Sequence, residues 1–171
     1  MIAFQGRARR LGDNVNTDYI ISSTRKRETI DEQVLKQFLL ETLDPDFAAS
    51  VREGDILVAG KNFGCGSAME VAATVILAAG IKAVVAQSYS RTFYRNAINN
   101  GLIPVQCDTS RIEEGDLIKV RLDGTDLSVT DYTKDLTLTG PKITGIMLDI
   151  LEHGGLVPYM REHHRLSPGA G

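Results

Sequence analysis

The chain has 171 residues, 43% of them hydrophobic and 24% charged, with a net charge of −3. That is the mixture of one ordinary globular domain with a sizeable core. It offers no basic field for nucleic acid, and no run approaches the roughly 18 apolar residues of a membrane span. Three histidines and two cysteines without CxxC spacing are too few for a self-contained zinc or iron–sulfur site, which takes about four protein ligands. Free thiols in a reducing cytoplasm are the simplest reading, and residues 1–10 carry no apolar stretch that would direct secretion.

In chain order, residues 2–11 alternate and run into the polar turn GDNVNTD, which predicts a strand and a turn. YII (19–21) reads as a short buried strand and SSTRKRET (22–29), without periodicity, as a loop. IDEQVLKQFLLETL (30–43) places Ile30, Val34, Leu35, Phe38 and Leu39 on one helical face. DPDFAASV (44–51) predicts a short helix with Pro45 near its start. DILVAG (55–60) is an apolar run of strand length, covered on both faces. A helix follows over about 68–79, ended by Gly80. KAVVAQS (82–88) is a second buried strand. SRTFYRNAINNG (90–101) is a helix with Ser90 as N-cap and Gly101 past its end, and LIPVQC (102–107) is a third strand. Residues 55–107 therefore read strand–helix–strand–helix–strand, a parallel α/β core. Over 115–139 short alternating strands carry Asp–Gly turn chemistry at Asp123–Gly124. KITGIMLDILEHGG (142–155) closes as a helix with Gly154 past its end. Residues 1–165 are expected to form one α/β domain with added antiparallel strands, and 166–171 a flexible tail.

The stretch KNFGCGSAMEVAATVILAAG (61–80) packs glycines, a cysteine and a serine into one turn before a helix. Such a corner can hold an anion, because free amides and the helix dipole point outward. It has no GK[ST], so it is not a P-loop, and G-x-G-x-x-M (64–69) lacks the third glycine of a dinucleotide fingerprint. An anion site and a mere tight turn stand side by side. Cys65, without partner thiolates, reads as a small buried residue rather than a cluster ligand. Ser67 is either a helix cap or a hydroxyl activated by the local positive field. Arg91 and Arg95 share one helical face, and the three histidines carry no assigned chemistry.

Four stretches, GDNVNTDYII, GDILVAGKNFGCGS, SRTFYRNAINNGLIPV and MLDILEHGGLVPYMREH, occur in this order from about residue 3 to residue 164. Together they make the chain resemble the small subunit of 3-isopropylmalate dehydratase, the counterpart of the aconitase swivel domain. The resemblance implies a swivelling β/β/α fold. It also implies a large partner subunit carrying a 4Fe–4S cluster, and an active site where the two subunits meet. None of the cluster ligands would come from this chain. The implied reaction is dehydration and rehydration of a hydroxy-dicarboxylic acid, as in leucine biosynthesis. Ser67 falls at the family's base, which removes the proton alpha to a carboxylate while the cluster takes the departing hydroxyl. Asp18, in NTDYI, would orient the active-site loops or cap a turn. Gly66 and Ala68 flank the base as substrate-binding positions. The expected setting is cytoplasmic, with no nucleic acid or membrane partner, and self-association of the isolated chain is left open.

The chain departs from the family where it matters for substrate. The usual motif is Gly-Ser-Ser-Arg-Glu-His; here it is Gly66-Ser67-Ala68-Met69-Glu70-Val71. The family's arginine clamps a substrate carboxylate, a planar two-pronged grip that methionine cannot supply. Arg25, Lys26 and Arg27 stand in the loop that discriminates substrate side groups in the family, and one of them is a candidate replacement. A basic loop is poorly matched to an isopropyl group. Related acids, of the homoaconitase or dimethylmalate type, are therefore an alternative to isopropylmalate, and a non-catalytic binding module is a third reading.

Overall fold

A computed structural model of the chain describes residues 1–166. Seven strands form one mixed sheet in the order β4-β3-β2-β1-β5-β6-β7. They are β1 (Ile2–Arg10), β2 (Ile56–Val58), β3 (Ala83–Ala86), β4 (Ile103–Gln106), β5 (Leu117–Asp123), β6 (Asp126–Asp131) and β7 (Leu136–Thr139). β1 joins two regimes. Its first six residues pair antiparallel with β5, from Ile2↔Leu122 to Arg7↔Leu117, and its last three run parallel to β2, from Ala8↔Ile56 to Arg10↔Val58. Gly6 sits at the changeover, where a Cβ would lie 1.9 Å from the carbonyl oxygen of Gly54.

Parallel neighbours need a crossover, and helices supply it. Helix α5 (Glu70–Ala78) links β2 to β3 and α6 (Arg91–Asn100) links β3 to β4. The apolar runs alternate between two cores, as a sheet covered on both faces demands. Leu57, Ala59, Val84 and Ala86 join one cluster with Phe63, Ala72, Ile76 and Phe93; Ile56, Val58, Ala83 and Val85 join the other with Ile98, Val120 and Ile150. Pro104, which cannot donate to a ladder, lies in the edge strand β4. Ser90 caps α6 by accepting the Phe93 amide at 3.2 Å, and Gly101 ends it at φ +83°. Beyond β1, β5 alternates buried and exposed residues, and its hairpin to β6 turns at Gly124 with φ +58°. α7 (Gly145–Glu152) packs back against the second core. This is the α/β swivel-type architecture with a parallel core and antiparallel extension that the sequence predicts.

Residues 17–40 differ from expectation. Tyr19 and Ile20 end a one-turn helix, α1 (Thr17–Ile20), and only Ile21 is extended. A three-residue apolar run does not distinguish strand from helix, and burial of Ile20 and Ile21 satisfies either. The basic stretch is not a loop but α2 (Ser23–Glu28), capped by the Ser22 hydroxyl on the Arg25 amide. The long helix over 30–43 is broken into α3 (Glu32–Leu35) and a 3₁₀ turn at Lys36–Phe38; Leu40 then takes φ +56°. Leu35 and Leu39 are buried, but Ile30 is 93% exposed. α4 (Phe47–Ser50) follows as expected. An unanticipated helix, α8 (Leu156–Leu166), follows α7, so the helical chain runs through the first residue of the expected tail. Residues 167–171 of that tail lie outside the described residues. No described helix is long and apolar enough to cross a membrane.

Candidate functional site

The corner is a loop threaded between two others at the carboxyl ends of the parallel strands. The Gly64 amide donates to the Val15 carbonyl at 2.8 Å and the Thr17 amide to Cys65 O at 2.8 Å. On the other side, the Phe63 amide donates to Ser88 O and the Ser90 amide to Phe63 O, each at 3.0 Å. Glycine is required twice. Gly64 has φ +79° with the Phe93 side chain 2.3 Å from a virtual Cβ; Gly66 has φ +95° with the Asn16 side chain at 2.6 Å. Both conformation and close approach exclude a side chain there. Thr17, buried, donates its hydroxyl to the Ser67 carbonyl at 2.9 Å. Asn16 and Thr17 thus brace the serine from below. Sequence reasoning passed over both; the clue was an Asn-Thr-Asp run of helix-capping residues, with Asn16 accepting the Asp18 amide at 2.8 Å.

Ser67 is not a helix cap. α5 begins at Glu70, and Met69 holds the N-cap position with no side-chain hydrogen bond to the first turn. Ser67 is exposed, between exposed Gly66 and Ala68, and its hydroxyl bonds to no described residue. A free hydroxyl therefore stands beside an uncapped helix N-terminus, where backbone amides favour negative charge. Cys65 is a free, half-buried thiol, and among the described residues no group of three or more His, Cys, Asp or Glu could hold a metal.

The three basic residues of α2 have different surroundings. Arg25 turns away into its own scaffold. Its guanidinium bonds Glu41 at 2.9 and 3.3 Å, stacks 3.8 Å over the Phe38 ring and lies 3.5 Å from Glu28. The Glu41 hydrogen bond raises its pKa further. Lys26 goes to the corner. Its ammonium rests against the Met69 sulfur, 3.8 Å from an Asp18 carboxylate oxygen, with 17% of its side chain exposed. Arg27 is exposed and makes no hydrogen bond or ion pair with the described residues. Asp18 lies in the first turn of α1. It accepts the Ser23 hydroxyl at 2.6 Å and the Ser23 amide at 3.1 Å. The Ser23 hydrogen bond, then Lys26, keep its carboxyl below the usual range against the opposing effect of burial. The structure thus gathers Asp18, Lys26, Gly66, Ser67, Ala68 and Met69 at one corner and leaves Arg25 outside it. A cavity of about 430 Å³ opens beside it, lined by Lys26, Thr29, Ile30, Glu70, Val71 and Thr74 among others; Ser67 is not part of its wall. Arg91 and Arg95 are exposed on α6.

A strand–corner–helix bearing an exposed serine, on a parallel core with an antiparallel wing, defines a swivel-type domain. The aconitase C-terminal domain model matches residues 8–110, and the chain belongs to that family. It is 42% identical over 167 residues to a methanogen homoaconitase small subunit from Methanocaldococcus jannaschii, covering 98% of this chain and 96% of that one. It is 43% identical over 155 residues to a 3-isopropylmalate dehydratase small subunit from Halothermothrix orenii, covering 90% and 92%. The crystal structure of 3-isopropylmalate dehydratase from M. jannaschii superposes with a TM-score of 0.91 at 41% identity, covering 96% of this chain and 97% of that one.

Proposed function

We propose that the chain is the small subunit of a two-subunit hydro-lyase of the 3-isopropylmalate dehydratase type. It would isomerise a hydroxy-dicarboxylate by dehydration and rehydration. Ser67 is the base that removes the proton alpha to a carboxylate. The observation that carries this reading is the free, exposed Ser67 hydroxyl at the uncapped N-terminus of α5. An alkoxide needs a strongly lowered pKa, and preorganised amides and a nearby ammonium supply the field for it. The described residues bring together no ligand set for a 4Fe–4S cluster. In this reading the large subunit would hold the cluster, which would supply Lewis acidity toward the substrate hydroxyl.

Lys26 supports a second reading of the substrate. A thioether is a weak acceptor, and an ammonium laid against one beside Asp18 retains capacity for a better anion. In place of the family's arginine, Lys26 would hold a substrate carboxylate as a point charge, with Gly66 and Ala68 presenting backbone and Asp18 orienting the lysine. The nearby cavity offers room for the rest of the acid. A cation there suits a substrate with an additional polar or acidic group, of the homoaconitase kind, better than an isopropyl group. The test is the reconstituted pair, assayed with isopropylmalate and with homocitrate-type acids. Turnover of any of these acids supports the hydro-lyase. Preference for the more acidic substrate supports Lys26 as the selector, and efficient turnover of isopropylmalate alone rejects it.

A further inference from the structure

Far along the chain from the corner, Asp116 precedes β5 and Asp131 ends β6. Both are buried, Asp131 completely. Asp131 accepts the Lys134 amide through Oδ1 at 3.1 Å, while its Oδ2 meets no donor. Asp116 Oδ2 accepts the Glu113 amide at 3.0 Å and the Lys134 ammonium at 2.6 Å. The two buried carboxyls converge on one residue, Asp131 holding the Lys134 amide and Asp116 its ammonium. The Lys134 ammonium on Asp116 is shared with Glu113 at 3.5 Å. The three cations of β1 are engaged elsewhere: Arg7 on Asp55, Arg9 on Asp55 and Glu114, and Arg10 on the Thr109 carbonyl. Of the other charges on these elements, Asp126 lies at the far end of β6 and is ion-paired with Lys142 at 3.2 Å, Lys119 of β5 stands opposite Thr130, and Asp135 of the turn is exposed.

Two carboxylates drawn onto one residue in a buried site resist ionising together, and an orphaned buried acceptor carries the full cost of its lost hydration. A proton on Asp131 Oδ2 resolves both problems. It removes one buried charge and converts the orphan into a donor toward Asp116. We propose that Asp116 and Asp131 share a single proton, and that this proton fastens the β6–β7 turn onto the start of β5. The same junction carries the Tyr132 amide on Leu117 O and the Leu117 amide on the Thr133 hydroxyl, each at 2.9 Å.

Burial first, then the contact with Asp116, raises the Asp131 pKa. Its stabilisation is therefore complete below the ordinary aspartate value of about 3.9 and is lost as pH rises through its folded value. Asp116 behaves oppositely. Burial opposes, but hydrogen bonds from Asp131 and Lys134 prevail and lower its pKa. Its stabilisation is present above about 3.9 and is lost as acid protonates it.

Asp131→Asn puts an amide donor where the proton sits and does not titrate. Between about pH 4 and about pH 8 the thermal midpoint of the full chain is expected to fall by a few degrees relative to that variant. Intrinsic-rate-corrected hydrogen-exchange protection at the Leu117 and Lys134 amides is expected to weaken with pH in the parent only. Carboxyl-carbon NMR of the parent chain gives an independent reading, with Asp131 titrating above the ordinary range. A pH-independent difference between the two proteins, or Asp131 titrating at or below about 3.9, overturns the proposal.

Discussion

At position 69 a thioether stands where a guanidinium would grip a carboxylate, and the Lys26 ammonium lies against it. Charge-assisted hydrogen bonds outweigh neutral ones, so Lys26→Met in the reconstituted pair should lower kcat/KM by roughly 10- to 100-fold. The loss should fall mainly on KM, because a ground-state contact is removed. Arg25→Met should leave KM within a few-fold, since that guanidinium is engaged by Glu41 and Phe38. Steady-state kinetics on both variants separates the two residues; equal losses would make the total charge of α2, rather than Lys26, the determinant. From residue types alone the three basic positions are equivalent. Only the turn of α2 and the contacts with Glu41 and Met69 distinguish them, and those lie 16 and 43 residues away in sequence.

The corner is the element on which the site depends, and its tolerance to change is testable. Gly64→Ala forces a Cβ into the Phe93 ring at a left-handed backbone and should cost about 3 kcal/mol. Gly12→Ala, with nothing within 4 Å and no left-handed backbone, serves as its near-neutral control. Urea unfolding of the two variants measures the contrast, and similar midpoints would mean that the corner is more pliable than its geometry indicates. The elements around it were unequally legible. β2, β3, β4 and α6 follow from apolar runs punctuated by Gly80, Ser90 and Gly101, because local chemistry and burial agree there. Residues 17–40 resisted reading because helices of four to six residues are too short to display a period. Ile30 completes a helical pattern on paper, but the chain turns before the pattern can be used. Of the two readings of Ser67, the helix cap is excluded because Met69 holds that position. The separation of Ser67 from the N-cap depends on Met69 and on the Thr17 brace, which no local pattern encodes.

Across the whole molecule, β1 ties the parallel core to the antiparallel wing through a buried network. Asp55 accepts Arg7 Nη2 at 2.8 Å, Arg9 Nη1 at 3.4 Å and the Arg52 amide at 2.9 Å; Arg9 Nε reaches Glu114 at 2.8 Å. Burial alone would raise the Asp55 pKa, but the Arg7 and Arg52 hydrogen bonds and the nearby arginines lower it. The sign is therefore that of a depressed acid. Its stabilisation is present above about 3.9 and lost as pH falls through its folded value. Asp55→Ala should cost about 2 kcal/mol near neutrality by removing the carboxylate that Arg7, Arg9 and the Arg52 amide share, Arg9 keeping Glu114 and Ser50. The gap to the parent should narrow as pH drops below about 4, a trend that denaturant titrations across pH would record. A gap constant with pH would remove Asp55 from the account of acid stability.

The central claim concerns one hydroxyl on this framework, and turnover by the assembled two-subunit enzyme with Ser67→Ala in the small subunit tests it most directly. Loss of a general base predicts a fall in kcat of roughly 10²- to 10⁴-fold while the variant still binds the large subunit with parental affinity. Turnover within a few-fold of the parent, in a complex of normal affinity, would contradict it.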